Sequence, residues 1–299
     1  MALLIITTIL WAFSFSLIGE YLAGSVDSYF SVLMRVGLAA LVFLPFLRTR
    51  GQSPRTIVLY MLVGAMQLGI MYLLAFRAYL YLTVSEFLLF TVFTPLYITL
   101  IYDLLSGRKL RWGYLLSAAL AVLGAAIIRN DKVSDHFWTG LLLVQLSNLC
   151  FAIGMVGYKR LMEVRPMPQH NAFAWFYVGA FIVAVAAWFM LGNAQKLPTT
   201  TLQWSVLVWL GVVASGLGYF TWNYGATQVD AGTLGIMNNV HVPAGLLVNL
   251  AIWQEQPHWP SFISGALVIL ASLWVHRRWV APHSGQTADD RRRGSAQSE

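Results

Sequence analysis

Residues 235–249 read GIMNNVHVPAGLLVN. They lie within 232–253, a stretch otherwise apolar enough to cross a bilayer, for which about 20 residues suffice. Two asparagines, a histidine, a proline and a third asparagine in that setting decide the reading. A membrane helix cannot turn such groups to lipid without cost, so they must face other helices or a wet interior. At about 100° per residue, Gly235, Asn238, His241, Gly245 and Asn249 share one helical face, with Asn239 at its edge.

The rest of the chain says which solvent applies. Of 299 residues, 58% are hydrophobic and 10% charged, and the mean hydropathy is +0.66. Soluble domains carry about 25% charged residues. The composition therefore predicts an all-α integral membrane protein. Ten spans are expected: 3–21, 29–47, 57–78, 84–104, 111–129, 137–158, 170–192, 202–224, 232–253 and 259–279. Turn-rich links such as RTRGQSPR (48–55) leave no room for a second soluble domain. The polar segment 281–299 reads as a disordered tail. One cysteine, Cys150, excludes an intramolecular disulfide. The first apolar run lacks a basic flank and reads as a retained helix.

Basic residues favour the cytoplasmic side. With the N-terminus inside, 14 of the 19 lysines and arginines fall in inner loops and the tail. Arg77, Arg129, Lys132 and Lys196 fall outside, and Arg35 within a span. Both termini are thus expected in the cytoplasm. The net charge of +7 is topological and calls for no nucleic-acid partner.

Ten helices divide into two fives, residues 1–130 and 131–280, and an odd number inverts the second set relative to the first. Such inverted repeats are common in secondary transporters. A shift of 148 residues places Pro95 on Pro243 and Ala78 on Ala226. The two prolines fall mid-helix, in predicted helices 4 and 9, where proline kinks the chain. Interrupted helices at matching positions point to a transport site. The same shift sets Asn238 on Phe90, His241 on Phe93 and Gly245 on Tyr97. One wall of a central cavity would then offer hydrogen bonds and the other aromatic rings, with Glu86 as a possible coupling carboxylate. Packing between helices remains the competing reading for both stripes.

Arg35, in SVLMRVGLAAL, needs a partner or a wet cavity at that depth and could take a substrate carboxylate in a fork. A structural acid or carbonyl partner is its alternative. Gln67, Asn148, Asn223 and Tyr224 are further substrate-binding candidates, with packing as the alternative. No HExxH, no Gly-rich phosphate loop and no metal-ligating cluster occurs, so no enzyme activity, metal or cofactor is expected.

Two stretches carry a likeness: PMPQHNAFAWFYVGAF and GYFTWNYGATQVDAGTLGIMNNVHVPAGLLVNLAIW. With the ten-span pattern and paired prolines, they resemble the drug/metabolite transporter superfamily, in its ten-helix EamA-like branch, over about residues 1–280. Within that branch they are similar to the biotin importers of enteric bacterial inner membranes. The resemblance implies a small-molecule substrate, biotin, taken up across the inner membrane by a monomer in the lipid bilayer. An exporter of amino acids or other small metabolites is the alternative, and a transport-inactive membrane scaffold a third reading.

Overall fold

The computed structural model describes residues 2–105 and 137–229, and isolated positions within 116–123 and 237–274. Asn239, His241, Pro243 and Asn249, the 281–299 tail and most of predicted helices 5, 9 and 10 lie outside the described residues. Among the described residues the chain is all-helical. Seven helices are long and apolar enough to span a membrane. They are α1 (Ala2–Tyr21), α2 (Ser28–Phe46), α3 (Pro54–Ala78), α4 (Val84–Leu105), α5 (Phe137–Val164), α6 (Gln169–Leu191) and α7 (Thr201–Ala226).

Their starts follow local chemistry. Asp27, Ser53, Thr83 and Thr200 cap α2, α3, α4 and α7 by accepting backbone N–H bonds. Thr83 with Glu86, and Thr200 with Gln203, close full capping boxes. Helix α5 runs to Val164 rather than ending near 158. Lys159 and Arg160 both reach Glu163, at 3.9 and 2.9 Å, and these pairs carry the helix past its apolar stretch.

Helices α3 and α6 approach closely through reciprocal glycines. A Cβ on Gly64 would collide with the Phe176 carbonyl, and one on Gly179 with that of Met61. Without a hydrophobic force between helices in lipid, such close packing is a main source of association. The outer surface is apolar instead, as Phe189 at 83% exposed illustrates.

Among the described residues three helices are interrupted. Helix α3 widens into a π-turn at Ala65–Ile70, and α7 does so at Leu210–Leu217. Helix α4 breaks between Thr91 and Thr94. Pro95 explains that break, because it lacks the N–H that the Thr91 carbonyl would accept. The Thr94 hydroxyl takes that carbonyl at 2.7 Å, and Asn148 Nδ2 and Gln145 Nε2 take that of Phe90 at 2.9 and 3.2 Å.

Candidate functional site

A cavity with about 650 Å³ of empty volume, its opening included, lies inside the bundle. Trp11, Ser14, Phe15 and Ile18 of α1 form one side, and Met71, Tyr72, Ala75 and Phe76 of α3 another. Phe87, Thr91 and Thr94 of α4, Ser147, Asn148 and Phe151 of α5, and Tyr219 of α7 complete the wall with Arg35, Tyr79 and Asn238. The lining is therefore aromatic with a few polar groups, the usual character of a small-molecule site.

Arg35 is 3% exposed. Its Nε–H donates to Ser215 Oγ at 2.6 Å. Its guanidinium lies 4.1 Å from the centre of the Tyr72 ring and 5.9 Å from that of Phe76. Among the described residues no carboxylate pairs with it. Stacking supports the plane of the cation, and the residue lines the cavity with no counter-ion among the described residues. Asn238 is 2% exposed, and its Nδ2 has no hydrogen-bond partner among the described residues. Among the described residues the cavity is thus bordered by a cation with no acidic partner and an amide donor with no acceptor.

A transporter frame accounts for this combination, and the family comparison supplies it. The model of the EamA-like transporter family matches residues 1–130 and 138–277. The chain belongs to the EamA-like transporter family. Such transporters are not enzymes, in keeping with the missing catalytic motifs. The EamA-like chain is 83% identical, over the full length of both proteins, to a biotin transporter of Escherichia coli strain K12. It is 55% identical to a probable biotin transporter of Pseudomonas aeruginosa, over 93% of this chain and 97% of that one. A probable terminal-alkyne amino-acid exporter of Streptantibioticus cattleyicolor matches at 20% identity, over 62% of this chain and 61% of that one. A solved crystal structure shares the fold, with a TM-score of 0.64 and 17% identity over 92% of this chain and 95% of that one. This EamA-like chain is a multi-pass bacterial membrane protein.

The other expected site residues of the transporter are distributed as follows. Asn148 lines the cavity while its amide satisfies the Phe90 carbonyl. Phe90 is fully buried, edge-on to Phe137 at 5.6 Å, and Phe93 is buried in the core. Tyr97 donates its hydroxyl to Gln145 Oε1 at 3.2 Å. These three are not among the lining residues; the face of α4 that borders the cavity is that of Phe87, Thr91 and Thr94. Gly245 sits directly on Leu88, where an added Cβ would come within 2.9 Å of a methyl. Gly245 itself thus packs against α4.

Gln67 and Asn223 lie one helical turn deeper than Met71 and Tyr219 and bond to each other. Tyr224, 37% exposed, is not among the residues that line the cavity. The Glu86 carboxylate accepts from the Thr83 N–H at 2.9 Å and so serves the cap of α4. Sequence reading missed Tyr72, Phe76 and Tyr79. Their i, i+4, i+7 spacing in YLLAFRAY was the available signal.

Proposed function

We propose that this transporter imports biotin across the bacterial inner membrane by alternating access through the central cavity. The observation that carries the reading is Arg35, a buried cation with no acidic partner among the described residues, facing an aromatic cavity. Biotin supplies what is missing: a carboxylate for Arg35, a ureido group for the amides, and an apolar chain and ring for the aromatic walls. The names of the relatives 83% and 55% identical support the choice of substrate.

Ten helices in two inverted repeats, residues 1–130 and 131–280, form the proposed frame. The two matched segments of the family model support it, as do the π-turns. The 148-residue shift carries Ala65–Ile70 onto 213–218, which overlaps Leu210–Leu217. The positive-inside distribution supports cytoplasmic termini. On that orientation the cavity occupies the outer half of the bundle, since Ile18, Tyr79 and Phe87 lie near helix ends that face outward. A monomer suffices for this scheme.

Export of an amino acid fits less well. Its ammonium group needs an acceptor, and no Asp or Glu is among the described lining residues. Labelled-biotin uptake by cells lacking their own importer, with and without this gene, tests the proposal. Uptake that depends on the gene is expected. Uptake unchanged by the gene, or biotin lost faster from preloaded cells, would overturn import.

A further inference from the structure

The π-turn at Leu210–Leu217 does more than bend α7. An extra residue in a helical turn opens the i→i−4 ladder, and such turns cluster at functional sites. At membrane depth every freed carbonyl needs a partner. Here three successive carbonyls take side chains from other helices. Trp11 Nε1–H donates to the Ala214 oxygen at 2.9 Å, and the Tyr177 hydroxyl donates to those of Ser215 and Gly216 at 2.7 and 3.2 Å. The backbone around Ser215 is therefore fixed from two sides.

The Ser215 side chain is completely buried, and its Oγ makes two contacts. It accepts the Arg35 Nε–H at 2.6 Å and shares a hydrogen bond with the Tyr72 hydroxyl at 2.9 Å. Tyr72 in turn places its ring under the same guanidinium at 4.1 Å. One edge of the cation is anchored through Nε, and its plane rests on an aromatic face. Among the described residues neither Nη group has a hydrogen-bond partner, which leaves both for a ligand. A guanidinium so restrained loses little rotational freedom when it takes both oxygens of a carboxylate.

The first π-turn makes a related contact. The 148-residue shift carries Gln67, inside Ala65–Ile70, onto Ser215. Each of these two residues bonds a side chain from the other matched segment: Gln67 to Asn223, and Ser215 to Arg35 and Tyr72.

We infer that Ser215, presented by the π-turn and supported by Tyr72, is the positioning residue that aims Arg35 at the carboxylate of the transported substrate. The inference rests on the reading of Arg35 as the carboxylate ligand of a biotin carrier. Ser215 does not itself touch substrate. It sets the geometry, and so the preference for an acid over its amide.

The test uses purified full-length wild type, Ser215→Ala, Ser215→Thr and Tyr72→Phe in lipid nanodiscs. Binding of labelled biotin and competition by biotinamide are measured on each, together with the melting temperature. Wild type is expected to prefer the acid. Ser215→Ala should bind biotin about tenfold more weakly, with biotinamide affinity unchanged. Ser215→Thr should restore the preference, and Tyr72→Phe, which keeps the ring but loses the hydroxyl, should shift it in the same direction as Ser215→Ala. An alanine variant that matches wild type overturns the inference. So does one that loses acid and amide equally, because a merely structural role would have that effect. A wild type that binds no biotin overturns the transport reading and this inference with it, and is told apart from the variant results by the first measurement.

Discussion

Gln67 and Asn223, 156 residues apart in sequence, hold each other through two amide hydrogen bonds of 3.0 Å, one in each direction. Both side chains are fully buried. Beside them Trp222 is also fully buried, 5.0 Å from Trp11 and bonded to Met155. The pair lies one helical turn from Met71 and Tyr219 of the cavity wall. Removing one amide strands the other, at about 1–3 kcal/mol. Gln67→Leu and Asn223→Leu should each lower the melting temperature, and the double variant should lower it by less than the sum. A double variant as damaged as the sum would show that the pair is not coupled.

Arg35→Lys keeps the charge but loses the planar fork and the stacking on Tyr72. Biotin affinity should fall by about tenfold or more, while biotinamide, with no carboxylate to lose, should bind as before. Competition binding measures both. A lysine variant that still separates acid from amide as wild type does would make Arg35 structural.

Pro95 and Asn148 form one unit. The proline breaks α4, and the asparagine serves the Phe90 carbonyl beside the break. Asn148→Leu should destabilise by about 1 kcal/mol, because it removes one of the two amide donors to that carbonyl and leaves Gln145 Nε2. In a Pro95→Ala background, where α4 can recover its ladder, the same change should cost less. Thermal unfolding of the four proteins decides. Equal costs in both backgrounds would show that Asn148 acts elsewhere.

The fold class was legible in the sequence because lipid imposes a simple rule, a long apolar run for each crossing. All seven described spans fall where those runs do. Arg35 was legible for the same reason, since a charge at that depth needs an explanation. The stripe facing Asn238 was not. Phe90, Phe93 and Tyr97 share one face of α4, but the face that borders the cavity is the neighbouring one of Phe87, Thr91 and Thr94, and periodicity alone does not choose between adjacent apolar faces. The π-turns were equally hidden. Nothing in AMQLGI or LGVVASGL marks a wider turn, which arises from contacts with other helices. Ser215 gains its meaning only through that turn.

Topology offers an independent check. Reporter fusions after Gly51 and Arg165, and at the C-terminus, should report the cytoplasm, and fusions at Asp27 and Lys196 the periplasm. The Asp27 N–H donates to the Lys196 carbonyl at 2.8 Å, so the fusions at these two positions should report the same side. A C-terminus reported outside would break the ten-helix scheme and the two inverted repeats with it.

Asn238, from the stretch that decided the fold, separates binding from packing by the sign of a stability change. Its Nδ2 is buried with no partner among the described residues, on the wall of the cavity. An unmet buried donor costs about 1–3 kcal/mol, and replacing it with an apolar group of similar shape removes that cost. If the amide is kept for a ureido oxygen, Asn238→Leu should raise the melting temperature of the ligand-free protein. The same change should weaken biotin binding by about 5- to 150-fold. Stability and function then move in opposite directions, as they do where a site is strained for its ligand. If Asn238 instead joins helices, the leucine variant should melt earlier, and its binding loss should follow from misfolding. Melting curves with and without biotin on the two purified proteins give both numbers. A lower melting temperature with unchanged affinity would assign Asn238 to packing and leave Arg35 as the polar anchor of the site.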